Sequence, residues 1–355
     1  MISPSPLSVV YLLDDTALFG GVKVILNQAN LLTRRGHRIT VLSRGPSPDW
    51  MRIEAEFRQV PDFNRRNTPP ADVTVATYWT TIASALEIAH GEAAHYCQGF
   101  EATYTHNTDD HPAIVEAYRQ PIPALVVSPH LGRLLDEDFD RPSRLVIQPL
   151  EPFWKAGLNS LLKRGPSPTP RVLVVGPWEG DWKGVPTALD AVNQMRRSGR
   201  DVRLIRLSQY PLTDAERSRL VPDEYHCHLG PEQAAALVSG CDVLLAPSWE
   251  QEGFGLPVLE AFASGVPVVA SDISCFREFA KKTATLVPAP ESTAFAEAAL
   301  EILDNPGLWR RHRKAGLAVA RKYSPRRAAD SAEEALRWVA SGNWRSGYHG
   351  TRITT

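Results

Sequence analysis

Several features are scarce in these 355 residues, and each scarcity excludes a class of protein. No run of about 18 apolar residues occurs, so no segment is expected to span a membrane. No basic stretch followed by an apolar one opens the sequence, so no signal peptide is expected, and a cytoplasmic location is. The four cysteines (Cys97, Cys227, Cys241 and Cys275) are scattered and form no C-x-x-C pair. Free thiols are therefore expected, with no disulfide framework and no structural metal. Net charge is nearly absent: 39 Lys+Arg stand against 40 Asp+Glu, a net of −1. Residues 1–165 carry 16 and 18 of these and the remainder 23 and 22, so neither half is a basic body made for nucleic acid or an anionic membrane. The G-x-G-x-x-G dinucleotide fingerprint is missing as well.

What is present is a rhythm. Strand-like runs at 7–13, 37–43, 71–78, 93–98, 124–130 and 144–150 alternate with helical patterns, the sign of parallel βαβ units. KRGPSPTP (163–170) then interrupts with three prolines, a glycine and no apolar residue, a linker composition. The rhythm restarts at 171–176 and continues through 201–208, 225–230, 241–248 and 266–271, to a last short strand near 284–287. Three helices follow, over 292–304, 306–322 and 325–340. The expected fold class is α/β, two doubly wound Rossmann-like domains facing a cleft. Their expected limits are 1–165 and 166–324, with a helix over 325–341 crossing back to the first domain and a tail over 342–355. In such folds ligands sit at the carboxyl ends of the strands.

Three stretches fit that location. Gly20-Gly21 stand between the first strand and an amphipathic helix, where backbone amides can approach an anion. Lys183, in VVGPWEGDWKGVPTALDAV (174–192), stands just before a helix and can place a point charge on phosphates. The richest is CDVLLAPSWEQEGFGLPVLEAF (241–262). Its strand ends at Ser248, Glu252 follows in a glycine turn, and Leu256-Pro257 starts a helix that contains Glu260. A carboxylate accepts hydrogen bonds from two hydroxyls at once and so suits a vicinal diol. Two carboxylates flanking a helix N-terminus fit diol, phosphate and diol in sequence, the layout of a nucleoside diphosphate sugar. Taken singly, Glu252 reads as a loop surface residue and Glu260 as a dipole partner; together with the GFG turn they read as a site.

EGFGLPVLE resembles the signature of the retaining family 4 glycosyltransferases of GT-B fold: Glu, seven residues, Glu. DWKGVPTALDAV is similar to the family's phosphate-lysine segment, GGVKVILNQANLLTRRGHRITVLS to its N-terminal glycine loop, helix and second strand, and VVSPHLGRLL to the segment after the fourth strand. The resemblance implies transfer of a glycosyl unit from a nucleoside diphosphate sugar, the substrate, to an acceptor hydroxyl, with retention and no further cofactor. It gives Glu252 the sugar and Glu260 the ribose. It sets backbone amides around Phe254, Gly255 and Leu256 on sugar and phosphate, Lys183 on the leaving diphosphate, and Gly20-Gly21 closing from the other domain.

Two departures stand out. Where the family carries an arginine six residues before the lysine, this sequence has Pro177, and Arg206 near the end of the next strand is the expected substitute. Where the family's N-terminal domain often ends a strand in histidine, AAHYCQGFEATY places Gln98, with Glu101 close by, while His95 falls inside the strand as a core residue. A Q-G-F-E segment of this kind is similar to that of rhamnosyltransferase-like members. HNTDDH (106–111) lacks the fixed helical spacing of a metal site and reads as an exposed loop on the acceptor side. Two rival readings remain: a non-catalytic nucleotide-sugar sensor or subunit, and a sugar-nucleotide epimerase or phosphorylase on the same fold.

Overall fold

In the computed structural model, residues 5–88, 90–157 and 163–347 are described. The chain forms two compact units, residues 1–149 with 325–355, and Leu150–Ser324. The division thus falls at Pro149/Leu150, upstream of the expected boundary at 165. The 163–170 segment lies wholly in the second unit, and there it is tied down: the Lys163 ammonium and the Ser167 backbone N–H each lie 3.1 Å from the Asp242 carboxylate.

The first unit holds a seven-stranded sheet: Ser8–Leu13 (β1), Arg38–Ser43 (β2), Glu56–Gln59 (β3), Val73–Ala76 (β4), Glu92–Cys97 (β5), Ala124–Val126 (β6) and Ser143–Leu145 (β7), in the order β3-β2-β1-β4-β5-β6-β7. Every pairing is parallel. Central strands such as β4 (VTVA) are buried along their whole length, because helices cover both faces of a parallel sheet. That is why they read as unbroken apolar runs. β3 (EFRQ) escaped the sequence reading because it is a polar edge strand with no apolar alternation. The 144–150 run yields only the three-residue β7.

The Pro325–Ala340 helix belongs to this unit. Its buried positions Ala328, Ala329, Ala332, Ala335, Leu336 and Val339 follow helical spacing. Arg35, at the end of the Gly20–Arg34 helix, pairs with its Asp330 and Glu333, and Arg144 lies 4.7 Å over the Trp338 ring. Of the expected tail, Asn343–Gly347 forms one 3-10 stretch in which buried Trp344 and exposed Arg345 both bond Glu92. Residues 348–355 lie outside the described residues.

The second unit holds six parallel strands: Arg171–Val175 (β8), Arg203–Ser208 (β9), Glu224–Cys227 (β10), Val243–Ala246 (β11), Val268–Ser271 (β12) and Thr285–Val287 (β13), in the order β10-β9-β8-β11-β12-β13. Its core joins Val172, Val174 and Leu245 of the sheet to Leu189 and Val192 of the Val185–Arg197 helix and to Phe295, Ile302 and Trp309. The strand order reverses between β8 and β11, which pair directly (Val243 with Val172, Leu245 with Val174). In the first unit the reversal lies between β1 and β4. These switch points open a crevice at the strands' carboxyl ends, where doubly wound sheets bind ligands.

Candidate functional site

The second unit's switch point explains how residues 69 apart in sequence come to meet. Lys183 follows β8, Glu252 follows β11, and the two strands are neighbours. The Lys183 ammonium lies 2.6 Å from Glu252 Oε2, a charge-assisted contact. Glu252 is only 8% exposed, so its carboxylate is held at the base of the crevice rather than waving in solvent.

Three glycines make the approach possible. Gly176, at the end of β8, has φ +127, and a Cβ there would press on the Lys183 stem at 3.2 Å. Gly184 has φ +62, and a Cβ would stand 2.1 Å from the Pro247 carbonyl oxygen. Gly255 has φ +84, and its Cβ would stand 2.3 Å from the Phe276 ring. Only glycine meets both demands at these places. The Trp249 N–H donates to the Trp182 carbonyl at 2.7 Å and so fastens the lysine loop to the glutamate turn. The sequence reading missed this clasp, because a backbone bond across two loops leaves no residue-type signal.

Gly255 is the N-cap of the Leu256–Ser264 helix, with Pro257 in its first turn. Glu260 sits half-buried one turn in. Phe254 points inward: it is stacked on Phe279 at 4.8 Å and lies 5.6 Å from Tyr323, so only its backbone remains to meet a ligand.

The expectation for Arg206 fails. Its side chain is fully buried, with Nε bonded to Glu216 at 2.5 Å and its two terminal nitrogens donating to the Val174 and Gly176 carbonyls at 2.8 and 2.9 Å. It braces the end of β8 from within and does not reach the crevice. The arginine missing at Pro177 is therefore not replaced by Arg206.

In the first unit, the Gln98 amide donates to the Gly21 carbonyl at 3.2 Å, and a Cβ on Gly21 would stand 3.0 Å from that amide. Gly20 and Gly21 form the first turn of the Gly20–Arg34 helix, so Gln98 holds the helix start. Behind Gln98 lies a buried network that was not foreseen. The Tyr118 hydroxyl donates to the Gly99 carbonyl at 2.7 Å and also touches the Glu101 carboxyl. A phenol has one proton, so these two oxygens compete for it. Burial pushes the Glu101 carboxyl up to about 7, against the Tyr118 contact, which favours the carboxylate. The Cys97 thiol beside it is pushed by burial up to about 12, and burial holds His95 neutral. Asn107 Nδ2 donates to the Glu101 carbonyl at 3.0 Å. That corrects the reading of HNTDDH as wholly exposed: Asn107 is buried, and the other five residues are exposed. Among the described residues no cluster of His, Cys, Asp or Glu fits a metal ion, and all four cysteines are free.

Glu101 gives a pH-dependent expectation. Its folded value lies above its ordinary 4.5, so the folded chain holds the proton through a window in which the unfolded chain has lost it. Stability should therefore fall as pH rises from about 4.5 to about 7, by up to roughly 3 kcal/mol, and level off above. Glu101→Gln mimics the neutral form and should flatten the melting temperature over that range. An unchanged slope in the variant would place the proton elsewhere.

Solved structures place this fold in a class. A sucrose-phosphate synthase from Thermosynechococcus elongatus superposes with TM-score 0.77 at 17% identity, over 94% of this chain and all of that one. HepE from Anabaena, solved with UDP and glucose, gives 0.74 at 14% identity, over 93% and 99%. The chain has the GT-B fold of two parallel-sheet α/β domains. Residues 169–305, which carry Lys183, Glu252 and Glu260, match the family described as Glycosyl transferases group 1. The phosphatidyl-myo-inositol mannosyltransferase of Mycobacterium leprae is 34% identical over 160 residues, 43% of this chain. The chain matches 42% of that relative's length. No helix among the described residues is long and apolar enough to cross a membrane.

Proposed function

We propose that the chain is a retaining glycosyltransferase that moves a sugar from a nucleoside diphosphate sugar to an acceptor hydroxyl. The observation that carries this reading is the Lys183–Glu252 contact beside the glycine-capped Leu256–Ser264 helix, at the sheet's switch point. The helix N-terminus and Lys183 take the diphosphate, whose charge grows as the glycosidic bond breaks. Glu252 grips sugar hydroxyls from the turn, and Glu260 the ribose from the helix. The transition state has oxocarbenium character, and the departing phosphate accepts the acceptor's proton on the face it leaves. Within the first unit, the Gly20-Gly21 helix start, positioned by Gln98, is itself suited to an anion.

The relative's name points to a mannosyl donor, and the HepE complex to a uridine nucleotide with glucose. A thermal-shift panel of nucleoside diphosphates, UDP-glucose and mannose-bearing nucleotide sugars separates these donors. A ligand at a hundred times its dissociation constant adds about 2.7 kcal/mol of stability. A flat response across the panel would sink the proposal.

The second reading, a nucleotide-sugar-binding subunit without turnover, draws support from Pro177, since Arg206 is committed to the interior. Donor binding without release of nucleoside diphosphate on any acceptor would favour it. Turnover that requires an acceptor would exclude both this reading and the epimerase.

A further inference from the structure

The chain's even balance of charge hides a local excess. Between Asp304 and Asp330 the sequence holds eight basic residues (Arg310, Arg311, Arg313, Lys314, Arg321, Lys322, Arg326 and Arg327) and no acidic one. Within the second unit this run forms the Pro306–Ala320 helix and the Arg321–Tyr323 turn that ends it. The helix buries Trp309, Arg313, Gly316 and Ala320, spaced so that one stripe faces the core. The opposite side is cationic. At 100° per residue, Arg310, Arg311 and Lys314 fall within about 100° of one another, and all three are exposed. Exposed Arg321 and Lys322 extend the array at the helix end. His312 Nδ1 lies 2.7 Å from the Thr283 carbonyl oxygen, which brings the exposed pair Lys281 and Lys282 to the flank of the same helix.

Elsewhere in this unit several arginines are matched, half-buried Arg196 with Asp223 and exposed Arg219 with Asp190 and Arg277 with Asp272, while exposed Arg197 and Arg217 stand singly rather than in an array. None of Arg310, Arg311, Lys314, Arg321 and Lys322 has a carboxylate partner among the described residues. Five like charges on one face repel one another, and an anionic partner relieves that repulsion.

We propose that this face adsorbs to an anionic phospholipid bilayer. Four to eight Lys or Arg on one amphipathic helix are enough for such adsorption. The helix is about 22 Å long at 1.5 Å per residue, long enough to lay its exposed cations along a surface. Nucleic acid is disfavoured, because Trp309 is buried and half-buried His312 is tied to the Thr283 carbonyl, so the helix offers no exposed stacking platform. The outward positions carry no large apolar side chain, so binding is electrostatic adsorption without insertion. The inference stands apart from the proposed reaction: a transferase with or without this face would bind the same donor.

Co-sedimentation of the full chain with phosphatidylcholine vesicles, and with phosphatidylcholine–phosphatidylglycerol vesicles, tests it. Binding is expected to the second only and is expected to disappear at high salt. Arg310→Ala, Arg311→Ala and Lys314→Ala together should weaken the partition about a hundredfold, at about fivefold per cation. A variant with Arg310→Lys and Arg311→Lys should keep it, since charge alone is at stake. A melting temperature and a donor-induced thermal shift like those of the parent show that the alanine variant is folded and its nucleotide site intact. Equal binding to both vesicles, binding to neither, or full binding by the triple alanine variant overturns the proposal. So does single-stranded RNA that displaces the chain from anionic vesicles at equal charge concentration, which would assign the face to nucleic acid.

Discussion

Lys183→Ala is expected to lower kcat by about a hundred- to a thousandfold, the size of effect seen when one fixed donor is taken from a developing negative charge. The expectation rests on how little else is placed to do the work. The position that would supply a second cation is Pro177, and Arg206 spends its donors on Glu216 and on two carbonyls of its own sheet. Lys183 is also the cation that the strand order delivers to Glu252, 2.6 Å away, with its stem laid against Gly176. Lys183→Arg keeps the charge but lengthens a stem that already runs close over that glycine, so an intermediate rate is expected. The partner separates binding from chemistry. Glu252→Gln removes the carboxylate that shares the ammonium, so free nucleoside diphosphate should bind at least as well as before, while transfer falls because the sugar loses its grip. Steady-state release of nucleoside diphosphate, with calorimetric titration of the same ligand, measures both effects. A Lys183→Ala enzyme within threefold of the parent would remove Lys183 from the proposed mechanism.

The parts of this site legible in the sequence were those fixed by local backbone chemistry. Gly255 at positive φ, Pro257 in the first turn and Gly265 at the C-cap are readable because few residues tolerate those conformations, and the Leu256–Ser264 helix begins where they placed it. The meeting of Lys183 with Glu252 was readable only through a resemblance, because a separation of 69 residues carries no distance signal until strand order is known. Arg206 was misread for a related reason. Its place in RLIRLS suggested the open end of a strand, but β9 lies between β8 and β10, and the helix that supplies Glu216 is a six-residue piece (DAERSR) with no apolar periodicity to announce it. KRGPSPTP misled about the boundary because proline density marks irregular backbone and says nothing of which unit owns it. Asp242, just before β11, owns this one.

Arg206 and Glu216 should behave as a pair whose halves cannot be removed singly. Both side chains are fully buried, so Arg206→Leu leaves the Glu216 carboxylate enclosed without its counter-ion, and Glu216→Leu does the same to the guanidinium. Each is expected to cost about 3–5 kcal/mol. The double variant removes both charges at once and should recover much of that loss. Recovery should be incomplete, because the Val174 and Gly176 carbonyls lose donors at 2.8 and 2.9 Å, each worth about 1 kcal/mol. Gly176 is where β8 gives way to the lysine loop, and its carbonyl is fixed from below by Arg206. A double variant of near-normal stability should therefore still turn over about ten- to a hundredfold more slowly, since a displacement of the order of 1 Å at Lys183 is enough to forfeit that much. Urea midpoints for the three variants, set beside their kcat values, test the two halves separately. If the double variant is no more stable than either single one, the buried pair is not the dominant interaction of these residues. If it is stable and fully active, Arg206 has no part in holding the lysine loop in place.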